Sequence, residues 1–430
     1  MKTTRRDSGT NGFLRRASHA WVIAAIFLLT AAAAPAAVFH VDAASTAPAP
    51  DGASWATAYP DLQSAVDAAA AASGGEVWVR KGMYKGMLET AILSLREGVA
   101  VYGGFAGGEV SQDARDWQAN PTVIDGEGMR RCVTGADNAA LDGFVVIRGR
   151  NGMTNNNCSP VVGNCVFMGN IASGYGGGMY NYQGSPKVVN CVFTGNRSDY
   201  MGGGMDNWAS SPSLENCVFT ANAAQYGGGF SAYYSSPVVV NCAFTGNEAS
   251  SEGGGVWASS ITPAVLTNCV VWGNNAPVDP EIGPHYAEQS VSYSCVRGGR
   301  EGDGNLDTDP LFVGAPEGSL QLRAGSPCLD TGTPDGAPTA DLLGVPRPQG
   351  AGVDMGPYEG AVAEGDVVTL TVAMTPEGAG VISPAPGTYR RVRGETVPFG
   401  VDRGLGYVFV RWEGGLSSTE LLTSLTLTGD

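Results

Sequence analysis

Apolar side chains recur in five blocks between residues 159 and 275, and successive blocks start 25 or 26 residues apart. Each block opens with Ser-Pro or Thr-Pro and carries an aliphatic residue two positions later, at Val162, Val188, Leu214, Val239 and Val265. A Cys follows, and two residues beyond it comes Phe167, Phe193, Phe219, Phe244 or Val271. Because side chains alternate between the two faces of a strand, the Cys and the Phe belong to one face of a short strand.

Polar residues mark the turns of each block. The odd spacing between the aliphatic residue and the Cys predicts a bend between two short strands, and an Asn lies at this bend. A second Asn follows the Phe, and four blocks then carry three consecutive glycines, at 176–178, 202–204, 227–229 and 253–255. Glycines permit tight turns. We therefore predict three short strands and three turns in each block, which together make one coil of a β-helix.

Stacked coils place equivalent residues directly above one another, about 4.8 Å apart. The first Asn of each block then forms a column whose amides hydrogen-bond from coil to coil: Asn164, Asn190, Asn216, Asn241 and Asn268. The adjacent thiols form a column of small buried groups: Cys165, Cys191, Cys217, Cys242 and Cys269. We expect these thiols to be unpaired, because neighbouring strand positions fit disulfide geometry badly. Binding of metal ions along the column of thiols is the alternative, but no His accompanies these Cys residues.

The repeated Ser-Pro, Asn-Cys-x-Phe and Gly-Gly-Gly elements resemble the right-handed parallel β-helix (pectin-lyase-like) superfamily, with repeats of the polymorphic outer-membrane-protein type. The resemblance covers residues 38–330 and implies an all-β fold, a single-stranded right-handed parallel β-helix. An Ala-rich amphipathic segment from Asp61 to Ala72 resembles the helix that caps the first coil in this superfamily, and such a cap shields an open end of the stack.

Two further segments follow the repeats. Residues 331–362 resemble a choice-of-anchor Q segment, which closes such β-helices in surface proteins, and we interpret their Asp and Arg residues as a structural ion pair. Residues 363–430 resemble part of an internalin-type B-repeat, a small β module of bacterial surface proteins.

Residues 1–37 predict an export signal. Five basic residues and one acidic residue precede or flank an apolar run from Trp21 to Ala34, and small residues follow it. The run is shorter than the roughly 20 residues of a membrane span, although a single anchor helix remains the alternative. No second apolar run of spanning length follows. We therefore expect a secreted or cell-surface protein of bacterial type, with no span in the mature chain.

Charge limits the partners. The formal net charge of the 430 residues is −16, and removing the net +4 of residues 1–37 leaves about −20. Such a surface repels phosphate backbones, so we exclude nucleic acid. Neutral glycans, cations and proteins remain as partners. The acidic run from Glu301 to Asp309 suggests Ca²⁺, but it lacks the bidentate Glu and the spacing of an EF-hand loop, and we expect no cofactor.

Catalysis has weak support in the sequence. By the resemblance, a lyase of this superfamily would use Lys or Arg as the base, and one coil carries Lys187 and Arg197 with Asp199 and Asp206 after them. We interpret these charges as solvated turn residues. The superfamily's glycosidases would need clustered Asp carboxylates near a Gly-His-Gly, and none of His19, His40 and His285 is flanked in that way.

Aromatic residues follow the glycine triplets. Strand alternation there predicts an outward stripe for binding a ligand, made of Tyr180, Tyr182, Asp206, Trp208, Tyr233 and Trp257. Aromatic faces suit sugar rings, although aromatic stacking that stabilises the sheet is the alternative. We expect a monomeric, non-catalytic protein that adheres to polysaccharide or to a surface protein. An extracellular polysaccharide lyase is the second hypothesis, and a structural spacer is the third.

Overall fold

The structure is a computed structural model that describes residues 37–86, 91–260, 263–284, 289–315, 318–376, 380–383, 385–403, 410–411, 413–415 and 422–428. The predicted export signal up to residue 36, His19 and His285 lie outside the described residues.

Parallel strands stacked in register form the main body. Sheet 1 has ten of them, in spatial order Val38–Val41, Gly75–Arg80, Val99–Phe105, Ala140–Asp142, Val161–Gly163, Lys187–Val189, Ser213–Glu215, Val238–Val240, Val265–Thr267 and Ser290–Ser292. Sheet 2 has nine, in the order Gly82–Tyr84, Thr122–Asp125, Phe144–Ile147, Val166–Met168, Val192–Thr194, Val218–Thr220, Ala243–Thr245, Val270–Val271 and Cys295–Val296. The predicted all-β parallel β-helix is confirmed.

The other two sheets complete each coil. Sheet 3 has four short strands, Ile171–Ala172, Arg197–Ser198, Ala223–Tyr226 and Glu248–Glu252. Sheet 4 has eight strands, in the order Leu93–Ser94, Val133–Thr134, Met153–Asn156, Met179–Tyr182, Met205–Trp208, Phe230–Tyr233, Val256–Ser259 and Ile282–Gly283. Sheet 3 lies between the second Asn and the glycine triplet, so the prediction of three strands per coil was wrong for these four coils.

The α-helix Leu62–Ala71 packs at the start of the stack. The Asp61 side chain caps it by accepting a hydrogen bond from the Ser64 backbone N–H at 2.8 Å. Leu62, Ala65, Val66 and Ala69 are buried and belong to the same apolar core as the coils. Short 3-10 helices lie at Trp55–Thr57, Gln112–Ala114 and Glu364–Asp366.

The interior consists of repeated columns. Phe167, Phe193, Phe219 and Phe244 stack with ring centroids 4.7–4.9 Å apart. The predicted Cys column lies inside the coils, and all nine cysteines are buried and free. Each column therefore repeats one packing solution from coil to coil.

Two asparagine columns support the bends. The first, Asn164 to Asn268, has φ of 49–54°, a left-handed conformation that Asn tolerates better than most residues. Its amides link coils, as in the 3.1 Å bond from Asn216 Nδ2 to Asn190 Oδ1. The second column lies inside, where amides connect, at 2.9–3.0 Å, Asn170, Asn196, Asn222, Asn247 and Asn274. Glu281 ends this inner column by accepting the Asn274 side-chain amide at 2.6 Å.

The segment after the last coil folds back over the outer face of sheet 2. Val218, Ala243, Val270 and Cys295 on that face form one buried cluster with Phe312, Leu320, Leu322, Cys328, Leu342 and Met355. The segment also accepts hydrogen bonds from the first Asn column, since Asn241 Nδ2 donates to the carbonyls of Asp354 and Gly356 at 3.0 Å. The segment therefore packs on sheet 2 through both apolar contacts and hydrogen bonds.

A small antiparallel β module follows. Val367–Val372 pairs with Gly387–Val392, and Gly380–Ser383 pairs with Thr396–Arg403, which also pairs with Leu422–Thr426. The short parallel pair Leu322–Arg323 and Ala361–Val362 precedes it. Within the described residues, no helix has the length and apolar character needed to span a membrane.

Candidate functional site

The outward side chains of sheet 4 form two columns that run across the coils. The first column contains Thr154, Tyr180, Asp206, Ser231 and Trp257, which occupy equivalent register positions. The second contains Asn156, Tyr182, Trp208, Tyr233 and Ser259. The inward residues between them, such as Met205 and Asn207, are completely buried in the interior.

The glycine triplets make the corner between sheets 3 and 4. A Cβ atom on Gly203 would lie 2.5 Å from the carbonyl oxygens of both Ala223 and Gly228, so the corner has no room for a side chain. The preceding Gly202 has a φ of 63°, which also favours glycine. This tight corner brings Tyr175, Tyr200 and Tyr226, which precede the triplets, beside the first column of sheet 4.

Six rings close into a circuit of contacts, which we call the aromatic circuit. The centroids of neighbouring rings in it lie 5.0–6.2 Å apart. In order, the rings belong to Tyr175, Tyr200, Tyr226, Trp257, Tyr233 and Trp208, and Trp208 contacts Tyr175 again. The three tyrosines come from the corner, and Trp208 and Tyr233 come from the second column. Asp206 and Ser231 occupy the first-column positions between them, so the circuit surrounds this pair.

Three more rings extend the circuit. Tyr180 contacts Tyr175 at 5.7 Å and Tyr182 at 6.4 Å, and Tyr234 contacts Tyr233 at 4.2 Å. Tyr234 is 61% exposed and Tyr200 is 39% exposed. We call these nine residues the aromatic surface.

Asp206 lies under this surface. Its side chain faces outward, as predicted, but it has no solvent exposure, and Ser231 beside it has none either. The Ser231 hydroxyl donates a hydrogen bond to Asp206 Oδ1. No described residue donates to Oδ2, which is also buried. Alternation thus places Asp206 on the outward face, but neighbouring side chains close its carboxyl off from solvent.

Trp257 is also less accessible than predicted, at 5% exposure, and its indole N–H donates to Glu252 Oε2 at 3.0 Å. Tyr182, Trp208 and Tyr233 are half-buried, and so is Tyr180. The structure therefore brings all six predicted residues onto one face of the coils but leaves four of them accessible.

Burial controls the electrostatics of the site. It raises the pKa of Asp206 to about 7, against the lowering effect of its hydrogen bonds from Ser231 and from the Asn207 backbone. The pKa of Tyr180 is raised to about 12, first by burial and then by the charge of Asp206. Burial, Tyr200 and Asp206 raise the pKa of Tyr175 in the same way. The phenols are therefore neutral donors at physiological pH.

The charged residues considered for lyase chemistry lie on three faces. Lys187 is on sheet 1 and pairs with Glu215 at 2.9 Å, and Asp206 is on sheet 4. Arg197 and Asp199 both line a groove along sheet 3. Lys85 near the start of the stack pairs with Glu127 at 3.1 Å. The coil that carries Lys187 thus brings Arg197 and Asp199 together but separates them from Lys187 and Asp206.

A shallow groove of about 260 Å³ runs along sheet 3, beside the tyrosines of the corner. Its lining mixes charges with polar groups and includes Arg197, Asp199, Gln225, Glu248 and Ser250. Positions 197, 223 and 248 share a column, so the groove crosses several coils. Such groups donate to and accept from hydroxyls.

Two carboxylates of the acidic run from Glu301 to Asp309 accept hydrogen bonds from the backbone. Asp307 Oδ1 accepts from the Gly298 N–H at 2.9 Å, and Asp309 Oδ1 accepts from the Leu311 N–H at 2.9 Å. Nowhere in the described part of the chain do three or more His, Cys, Asp or Glu side chains gather in a way that would hold a metal ion.

The sequence places Tyr175, Tyr200 and Tyr226 just before or near the glycine triplets, but the predicted ligand-binding residues include none of them and do not include Tyr234. A signal for the first three exists, because they recur at steps of 25 and 26 residues, the period of the repeat itself. Tyr234 has no equivalent aromatic residue in the other coils, and only its contact with Tyr233 reveals its place.

Comparisons with known proteins give structural matches alone. A scan of protein-family models and a search of curated protein sequences both give no match. One similar solved structure is the A-module of a mannuronan C-5 epimerase from Azotobacter vinelandii, with 17% identity, a TM-score of 0.38, and coverage of 62% of this chain and 76% of that one. Another is a pectate lyase, with 12% identity, a TM-score of 0.42, and coverage of 76% of this chain and 97% of that one.

Proposed function

We propose that this chain is an exported β-helix protein that binds a neutral glycan on the aromatic surface and does not cleave it. The observation that carries the proposal is the continuity of nine rings on one face of adjacent coils. Sugar rings present apolar C–H faces, and aromatic side chains are the protein groups that pack against them with a large contact area.

The dimensions of the surface suit an extended chain. Its rings come from four successive coils, so three steps of about 4.8 Å give it a length of roughly 14 Å along the stack. The sheet 3 groove runs in the same direction beside Tyr200 and Tyr226. A linear oligosaccharide lying along the stack would contact rings on one side and the polar groups of the groove on the other.

Charge favours a neutral ligand. The chain has a formal net charge of −16, and Asp199, Glu248 and Glu252 lie in or beside the groove and the surface. Arg197 is the groove's cationic residue. A polyanionic glycan would meet repulsion along most of this face, whereas hydroxyls pair with carboxylates and guanidinium alike.

Retention on a panel of immobilised neutral polysaccharides tests the proposal. Tyr182→Ala, Trp208→Ala and Tyr233→Ala should each weaken retention by about tenfold, because each removes one stacking face. Val238→Ala is the matched control, since Val238 is an exposed apolar residue on sheet 1. If all four variants keep the circular dichroism spectrum and the retention of the wild-type protein, that result would contradict glycan binding at this surface.

A polysaccharide lyase is the alternative, and a parallel panel of uronate-containing polysaccharides addresses it, because elimination needs a proton made acidic by a uronate carboxyl group. Wild-type protein incubated with each of these polysaccharides should give no ultraviolet absorbance from unsaturated sugar products. Product formation would replace the binding proposal with a catalytic one. Retention by a purified surface protein but by no glycan would instead support adhesion to protein.

The proposal includes the location in which the protein acts. Residues 1–37 carry the pattern of an export signal, and residues 331–430 resemble segments of bacterial surface proteins. We infer a monomer that acts outside the cytoplasm or at the cell surface, without a metal cofactor. Fractionation of the producing cell, with detection of the mature chain by mass spectrometry, tests this location.

A further inference from the structure

The Asp206 carboxyl is the least satisfied polar group of the aromatic surface. One oxygen accepts from Ser231, and the other has no donor among the described residues. Burying a carboxylate oxygen without a partner is costly, and native structures keep few such groups. The arrangement therefore needs an explanation beyond stability.

Among the described residues, no cation contributes to the pKa of Asp206. Tyr180 and Ser231 flank it in the first column, and Tyr175 and Trp208, which come from opposite sides of that column, meet edge to face. None of the ion pairs formed by the described residues involves Asp206, and its pKa depends on burial and on hydrogen bonds alone. A structural carboxylate at such depth would normally have a basic partner or several N–H donors.

We propose that Asp206 Oδ2 is the hydroxyl acceptor of the glycan site, reached when the ligand separates the rings of Tyr175 and Trp208. This inference rests on the proposed function, and it adds the polar group that selects the ligand. The two rings meet edge to face, with centroids 5.6 Å apart and planes at 89°. Because Asp206 is fully buried, a ligand can reach Oδ2 only when neighbouring side chains move, and the contact between these two rings can be broken by rotation of either side chain.

The shape of the column supports the same role. Ser231, a small side chain, lies between Asp206 and Trp257 in the column, so opening the circuit would leave a depression over the Asp206–Ser231 pair. A sugar ring entering it would stack on Trp208 or Tyr233 and direct a hydroxyl to Oδ2. The ligand class is therefore a glycan with free hydroxyls, and not a uronate or a sulfated chain, whose charge would oppose Asp206.

Such a site rejects ligands that lack the hydroxyl. A buried acceptor left unpaired in a complex penalises that complex, which gives stronger discrimination than an apolar contact does. Wild-type protein should bind an O-methylated form of the retained polysaccharide about tenfold more weakly than the unmodified form. Equal retention of the two forms would overturn the inference without the need for any variant.

Asp206→Asn tests the residue directly, with Asp113→Asn as the control on an exposed carboxylate outside the proposed site. The amide keeps the shape and removes the buried charge, so the melting temperature of Asp206→Asn should rise at pH 8 while glycan affinity falls about tenfold. Asp113→Asn should leave both the melting temperature and the glycan affinity unchanged. Opposite signs for stability and binding distinguish a ligand-binding residue from a structural one.

Two results would overturn the inference. A lower melting temperature of Asp206→Asn would show that the carboxyl stabilises the fold. Unchanged affinity of Asp206→Asn, beside a loss for Trp208→Ala, would remove Asp206 from the site and leave the proposed function intact. Absence of retention of the wild-type protein on every neutral glycan would instead reject the proposed function and, with it, this inference.

Discussion

Tyr175 and Trp208 touch edge to face across Asp206, although they belong to different coils and to different sides of the first column. This one contact converts two rows of aromatic residues into a closed circuit. The carboxyl of Asp206 is fully buried, and its raised pKa follows from that burial. Because burial changes the pKa of Asp206, the free energy of unfolding should depend on pH.

Stability should therefore decrease as the pH rises through the weakly acidic range. The pKa of Asp206 is about 7 in the folded chain, against an ordinary value of 3.8, so the folded state holds more protons than the unfolded state between these values. Stability from this group is complete at pH 4 and is lost by about pH 7, by roughly 4 kcal/mol at most. Urea unfolding at closely spaced pH values measures the decrease.

Asp206→Asn supplies the control for this pH dependence. Other carboxyls with raised pKa, such as Glu281 and Asp354, contribute equally to both proteins and cancel in the difference. The difference in unfolding free energy between variant and wild type should grow from pH 4 to pH 7 and then level off. A difference that stays constant across this range would refute the assignment.

The cysteines should be unreactive in the folded protein. All nine are buried and free, and burial raises the pKa of Cys191, Cys242 and Cys269, which suppresses the thiolate form. We expect almost no reaction with a thiol reagent under native conditions and nine equivalents after unfolding in denaturant. A count of seven would indicate one disulfide, and Cys295 and Cys328, whose thiols hydrogen-bond each other, would be the first pair to map.

The coils could be predicted from the repeat because each residue stacks on equivalent residues of the coils above and below it. Asn at the first bend needs a left-handed φ, and Cys followed by Phe needs an alternating strand, so both features are local. Sheet 3 was not predicted because the residue type in its outward column differs from coil to coil. The column contains Ile171, Arg197, Ala223 and Glu248. Its inward side carries only small residues, which give a weak hydrophobic signal.

The position of the closing segment depends on contacts distant in sequence. A signal existed in sheet 2, whose strands are apolar on both faces, as Val218 and Phe219 show. Strands buried on both faces need a covering layer. The sequence does not say which segment supplies that layer, since the docking of Leu342 and Met355 depends on shape.

The candidate site was predictable to the level of strand faces. Alternation from Met205 correctly placed Asp206 and Trp208 outward. The complete burial of Asp206 depends on how the side chains of neighbouring coils pack around it. Side-chain packing between neighbouring coils has no signature in a single repeat.

The inner asparagine column should be critical for stability. Asn222 makes four side-chain hydrogen bonds, to the backbone and side chain of Asn196, to the Phe193 carbonyl and to Asn247. Asn222→Leu leaves several of these buried groups unpaired and should cost about 3 kcal/mol or more. Asn190→Gly is the control in the outer column, since glycine keeps the left-handed bend, and it should cost about 1 kcal/mol or less. Chemical denaturation compares the two, and equal losses would contradict the distinction between the columns.

The ion pair of Arg347 and Glu359 should behave as a clamp for the closing segment. Both side chains are only 1% exposed, Arg347 also donates to the Gly356 carbonyl at 3.0 Å, and Glu359 accepts from the backbone of Gln349 at 3.0 Å. Because removal of one partner leaves a buried charge alone, Arg347→Met or Glu359→Leu should each cost about 3–5 kcal/mol. The double variant Arg347→Met/Glu359→Leu should lose less than the sum of the single variants, because it buries no unpaired charge. Additive losses in denaturant unfolding would mean that the two side chains act independently, and that the backbone hydrogen bonds alone hold this segment on sheet 2.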